Sequence, residues 1–229
     1  MIITLSGQAG AGAREIGQQL AGELELDDVD WQILVDAARR LGVTVGVMAD
    51  RDERTLTLGE RLTNFLHAFL ERSAMASAGD PFMSTAGLEV ILARTYSEAA
   101  SEPQDETPYT DDAKYVKTLT AIMKELAQRG NMVVLGRGSQ VILKDHPAAI
   151  HVLTIAPKDL RIMRYSEREH LNLEVAAKKV AEIDKGRVAF HNKFFKVEVN
   201  DPRLYHVVLN TGRINYEKAT EMIAALARR

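Results

Sequence analysis

Residues 2–17 read IITLSGQAGAGAREIG, and the fold follows from how these sixteen positions divide. Ile2, Ile3 and Leu5 make a short, almost wholly apolar run, the pattern of a strand buried on both faces of a parallel sheet. Gly7-Gln8-Ala9-Gly10-Ala11-Gly12 is too rich in glycine and alanine to continue it and reads as a tight turn. Ile16, Leu20 and Leu24 then recur at helical spacing to about Glu25. A buried strand, a glycine loop and a helix presents several backbone N–H groups and the positive end of a helix dipole to one point, which favours phosphate. The spacing Gly7-x-x-x-x-Gly12 is that of a P-loop. Two other readings of the loop stand beside it. One is a strand-to-helix turn with no ligand; the other is a dinucleotide turn, disfavoured because Gly7-Gln8-Ala9-Gly10 breaks the G-x-G start.

Outward from this unit the strand–helix alternation continues. The pattern predicts helices over residues 31–41 and 57–78, an ambiguous apolar segment at 43–48, and an acidic loop at 98–112. It then predicts a helix at 114–129 stopped by Gly130-Asn131, a buried strand at 132–135 and a strand at 150–155. Helices follow at 158–169 and 173–184, the second capped by Asn172, and then a segment of helical tendency at 187–197. A last strand spans 206–209, and a closing helix capped by Asn215 runs to about 227. The expected architecture is α/β: a three-layer parallel sheet with ligands outside the carboxyl ends of its strands. The chain of 229 residues is long enough for one such domain, with a helical insertion over 28–112 and a helical lid over 158–200.

Composition narrows the function. A net charge of −3 creates no field to attract nucleic acid or an anionic membrane, so a phosphate site must be a local gathering of Lys and Arg. The absence of cysteine excludes disulfides, thiolate nucleophiles and Cys-ligated zinc, and agrees with a cytoplasmic location. No apolar run reaches membrane-spanning length, and the start has no basic n-region, so a soluble chain without a leader is expected. The histidines have no metal-ligand spacing, and no residue is assigned as a metal ligand. Ser139 and His151 lack the third partner and the elbow that a hydrolase pair requires.

Cationic side chains supply the remaining candidates. Arg137 lies between Gly136 and Gly138 after a strand, where it has room to swing and its planar fork suits a phosphate. Arg161, Arg164 and Arg168 share one helix face, and Asp184-Lys185-Gly186-Arg187 follows them. With Lys178, Lys179 and Lys193 they form a basic series suited to a lid over a triphosphate, where catalysis is chiefly positioning and charge stabilisation.

Together these stretches resemble the cytidylate kinase-like family, a branch of the P-loop nucleoside monophosphate kinases. ITLSGQAGAGAREIG resembles that branch's opening, in which Gly-Ser-Gly-Gly-Arg-Glu-Ile replaces the usual Walker ending. LAQRGNMVVLGRGSQVIL resembles its strand and Gly-Arg-Gly turn, and HVLTIAPKDLRIMRYSERE its next strand and arginine-bearing lid helix. EIDKGRVAFHNKFF and DPRLYHVVLNTGRI continue the match. The resemblance implies a P-loop kinase that takes ATP and Mg²⁺ and phosphorylates a nucleoside monophosphate, CMP or dCMP first. Its partners would be these small molecules, with no nucleic acid or membrane, and a homo-oligomer is allowed. Gly7, Gln8, Ala9, Gly10, Ala11, Gly12, Ala13, Arg14 and Glu15 would form the nucleotide loop. Arg14 would hold donor phosphates and Arg137 the acceptor phosphate, while Arg161, Arg164, Arg168 and Arg187 would be lid arginines oriented by Asp184. Ala13 stands where cytidylate kinases proper carry lysine, so Arg14 would replace that charge. Mg²⁺ would rely on water, phosphate oxygens or a carboxylate such as Glu15. Asp30-Trp31 falls where the branch often has Asp-Arg. These departures motivate two alternatives: a nucleotide-binding regulator without turnover, and a kinase for another small acceptor.

Overall fold

The computed structural model describes residues 1–29, Arg40 and 112–228. Apart from Asp28, Val29, Arg40 and Asp112, the expected insertion over 28–112 lies outside the described residues, and with it the helices at 31–41 and 57–78, the segment at 43–48, the acidic loop at 98–112 and Asp30-Trp31.

Among the described residues, five parallel strands make one sheet in the order β2-β3-β1-β4-β5. They are β1 (Ile2–Gly7), β2 (Asp27–Asp28), β3 (Met132–Leu135), β4 (Ala149–Ile155) and β5 (Val207–Asn210). β1 is central, with Thr4 beside Val134 on one edge and His151 on the other. Its side chains therefore enter two cores. Ile2 packs with Tyr115, Leu119, Ile122 and Phe190, and Ile3 and Leu5 pack with Ile16, Leu20, Ala219 and Ile223. A strand covered on both faces needs apolar residues at consecutive positions, which is why β1 shows no alternation.

The second core is closed by α1 (Ala13–Glu23) and by the last helix, α6 (Tyr216–Ala227). The first is closed by α2 (Asp112–Arg129), with help from α5 (Leu173–Phe195). Between them the chain also forms α3 (Ser139–Ile142) and α4 (Lys158–Glu169). Helices on both faces give the three layers expected of an α/β parallel sheet. Asn172 and Asn215 cap α5 and α6, accepting from the Val175 and Lys218 N–H groups. α4 and α5 also share a small core of their own around Tyr165, Ala176 and Val180.

Two differences from the expected elements have physical reasons. Residues 173–195 form one helix rather than two pieces, because Ala176, Val180, Arg187, Phe190 and His191 stay on one buried face straight through Gly186. β2 and α3 carry no periodicity that would predict them, being two exposed aspartates and a four-residue turn.

His151, on β4, is 3% exposed, bonds Thr4 Oγ1 through Nδ1 at 2.8 Å and stacks 5.0 Å from His206. Burial, and then the neighbouring His206, lower its pKa from 6.5 to about 4. The unfolded chain therefore binds this proton first as pH falls. Stability is fully present above the unfolded value and declines as pH drops through the folded one. Urea unfolding should show a loss from this group of up to about 3 kcal/mol between pH 7 and pH 4. His151→Gln should flatten that slope; an unchanged slope would assign it to other groups.

Candidate functional site

The loop leaves β1 with Gln8 N–H bonded to Thr154 O (3.2 Å) and closes a turn through Ala11 N–H to Gln8 O (2.9 Å). Gly10 (φ 76°) and Gly12 (φ 86°) are left-handed, and neither has room for a side chain. A methyl at Gly10 would strike the Arg161 backbone, and one at Gly12 the Tyr216 ring. Gly12 is also the N-cap of α1, with no side chain over the first turn's N–H groups. Neither Gly10 N–H nor Gly12 N–H makes a hydrogen bond among the described residues.

A cleft opens beside this loop. It is lined by Gly7, Gln8, Ala9, Gly10, Gly12, Ala13, Arg14 and Glu15, by Leu135 and Gly136 at the end of β3, and by Tyr165, Arg168, Ile183 and Arg187. Three of the expected cations thus meet there. Arg14 is half-buried and has no hydrogen bond or ion pair among the described residues. Arg168 bonds Glu15 Oε1 (3.2 Å) and Glu169 Oε1 (2.7 Å) and lies 5.1 Å over the Tyr165 ring. Glu15 Oε2 is buried and has no partner among the described residues. Arg187, 4% exposed, donates to Ser6 Oγ (3.2 Å) and to Asn200 Oδ1. Its Nε has no partner, and no carboxylate pairs with it among the described residues.

Arg161, Arg164 and Asp184 do not line the cleft. Arg161 reaches the Ala9 and Ala156 carbonyls (3.0 and 3.1 Å) and pairs with Asp184 Oδ2 at 2.7 Å, while Asp184 Oδ1 accepts Ala9 N–H at 3.0 Å. Arg164 donates to Thr211 Oγ1 (3.0 Å) and Thr211 O (2.9 Å) and stacks on Tyr216, and Thr211 Oγ1 donates to Ala11 O (2.9 Å). A shared helix face therefore does not give the α4 arginines a shared target, because Ala9 of the loop captures Arg161 and Thr211, after β5, captures Arg164.

Arg137 also differs from its expected setting. It does not swing between its glycines; it is 1% exposed, at φ 57°, among the largest fully buried side chains. The Phe195 ring covers the adjacent Gly138 so closely that a methyl there would collide. The turn's glycines allow tight packing rather than free movement.

Ser6, Thr211 and Asn200 do not stand out in the sequence. Ser6 and Thr211 sit at carboxyl ends of strands, which is a usable signal in a parallel sheet. Asn200 carries none, since its partner Arg187 lies across the end of α5.

The chain is 23% identical over 138 residues to a protein named cytidylate kinase from Methanocaldococcus jannaschii, covering 59% of this chain and 78% of the relative. It is 25% identical over 150 residues to a cytidylate kinase from Archaeoglobus fulgidus, covering 65% and 77%. In fold it is similar to the crystal structure of an uncharacterized protein from Eubacterium ventriosum, at TM-score 0.62 and 17% identity, covering 100% of this chain and 98% of that one. The profile of the cytidylate kinase-like family matches residues 2–213, nearly the whole chain that builds the sheet and the cleft, and the protein belongs to that family.

Proposed function

We propose that this protein transfers the γ-phosphoryl group of ATP to a nucleoside monophosphate, with CMP or dCMP as the first acceptors to consider. The observation that carries the reading is Arg187. A guanidinium buried to this extent, with no carboxylate and no partner for Nε among the described residues, is costly unless an anion joins it. It borders the same cleft as the unbonded loop N–H groups, so a polyphosphate satisfies both at once.

In this reading the Gly10 and Gly12 N–H groups and the start of α1 hold the donor phosphates, and Arg14 supplies the charge that a lysine at position 13 would give. Arg168 and Arg187 neutralise the transferring group, and α4 and α5 form a lid that excludes water. Arg137 would serve the acceptor phosphate only if binding uncovers it, since it is fully buried and does not line the cleft. Glu15 fits a role toward Mg²⁺, because one carboxylate oxygen is buried beside the loop with no partner among the described residues, and Mg²⁺ takes one or two carboxylates with phosphate and water. When bound, the ion would offset charge on the phosphates. Glu15 would also hold Arg168 until the nucleotide arrives.

Ala13 motivates a second reading, a nucleotide binder without turnover. ADP production from Mg·ATP against a panel of nucleoside monophosphates, with an acceptor-free control, separates the two. Formation that depends on CMP or dCMP is the expected result. Tight ATP binding with no ADP from any monophosphate would replace the kinase with the binder, or with a kinase for a different small acceptor.

A further inference from the structure

We infer that Arg161 and Asp184 are positioning residues that set the direction of the loop's N–H groups, and that neither touches the nucleotide. This rests on the reading of the glycine loop as a phosphate site. Ala9 is held at both of its polar atoms, N–H by Asp184 and carbonyl by Arg161, and the two holders are paired to each other at 2.7 Å. The ring of contacts ties α4 and α5 to one loop residue. No peptide in the described chain is cis. In a trans peptide the carbonyl and the next N–H point in opposite directions. Holding Ala9 O on Arg161 therefore turns Gly10 N–H away from that guanidinium, and holding Ala11 O on Thr211 does the same for Gly12 N–H. Gly10 and Gly12 border the cleft, and their N–H groups are unbonded among the described residues.

The pairing has an electrostatic purpose as well. Asp184 places a carboxylate against the N–H of a loop meant for an anion, where its charge alone would repel phosphate. Arg161 cancels that charge at the same point. Only Arg161→Ala should then weaken binding, a split between the two substitutions that a general loss of packing does not produce. Arg161→Ala removes the hold on Ala9 O and leaves the carboxylate uncompensated. Asp184→Asn keeps an acceptor for Ala9 N–H and releases the charge of Arg161.

The test is calorimetric binding of inorganic tripolyphosphate, ADP and ATP to the full chain, wild type and variants. Arg161→Ala should weaken all three by about tenfold or more, since a charge-assisted hydrogen bond lost at the loop is worth on that order. Asp184→Asn should leave them unchanged or tighten them, and adding it to Arg161→Ala should recover part of the loss. Weakening of ATP with ADP unaffected would overturn the inference by making Arg161 a contact of the terminal phosphate. Weakening by Asp184→Asn would overturn it too, and that arm decides the matter should Arg161→Ala not fold. A wild-type chain that binds none of the three probes would remove the phosphate-site reading itself, and this inference with it.

Discussion

Arg187→Met leaves the unliganded protein about as stable as the wild type, or more so, while lowering ADP formation by about a hundredfold to a thousandfold. The stability side follows from burial. Arg187 is held in the protein with no carboxylate among the described residues, and methionine fills similar volume with no charge to desolvate. Exchanging buried charges for apolar groups is often neutral or stabilising, by about 1–4 kcal/mol. Against this stand the lost bonds to Ser6 and Asn200, each worth about 1 kcal/mol net. The activity side follows from position, because a cation beside the loop acts where charge develops in phosphoryl transfer, and one preorganised donor is worth about that range in rate. Urea unfolding without nucleotide and kcat under saturating ATP check the two halves. A variant with wild-type kcat would end the assignment of Arg187 to the transferring group. One much less stable than the wild type would make it a structural arginine.

Gly10→Ala should also disable the site, but through the backbone and at a cost in stability. The residue sits at φ 76°, where an L side chain pays about 1–2 kcal/mol. The added methyl also meets the carbonyl group and Cα of Arg161, which are backbone atoms of α4 and cannot swing aside. Either the loop or α4 must move, and both alter the Ala9 contacts that aim Gly10 N–H. A fall in ATP affinity of about a hundredfold is expected, with a stability loss of about 2 kcal/mol or more. Gly22→Ala is the control. It lies in α1 with no atom within 4 Å of the added carbon and an ordinary helical φ, so it should stabilise by about 0.5–1 kcal/mol. ATP affinity of Gly10→Ala within about threefold of wild type would show that the loop tolerates a different shape.

Much of the fold is legible in the pattern of residues along the chain. Residues 132–135 and 158–169 have the expected bounds in β3 and α4, and Asn172 and Asn215 cap the helices that their positions predict. Strong local signals explain this: uninterrupted β-branched and apolar residues for a doubly covered strand, and side chains that bond their own backbone at helix starts. The order β2-β3-β1-β4-β5 is not legible there, since pairing among strands far apart in the chain leaves no local trace.

The candidate site divides along the same line. The residues alone establish that a glycine loop opens the chain at the end of a buried strand, that arginines recur through residues 137–187, and that Ala13-Arg14 follows Gly12. They do so because glycine's backbone freedom and arginine's charge belong to the residue wherever it sits. What each arginine meets is a matter of the folded chain. Arg161 braces the loop at Ala9, Arg164 is held by Thr211, Arg14, Arg168 and Arg187 border the cleft, and Arg137 is fully buried. A guanidinium's role is set by the acceptors within its reach, and those acceptors come from Ala9, Thr211, Ser6 and Asn200, which the fold alone brings beside it.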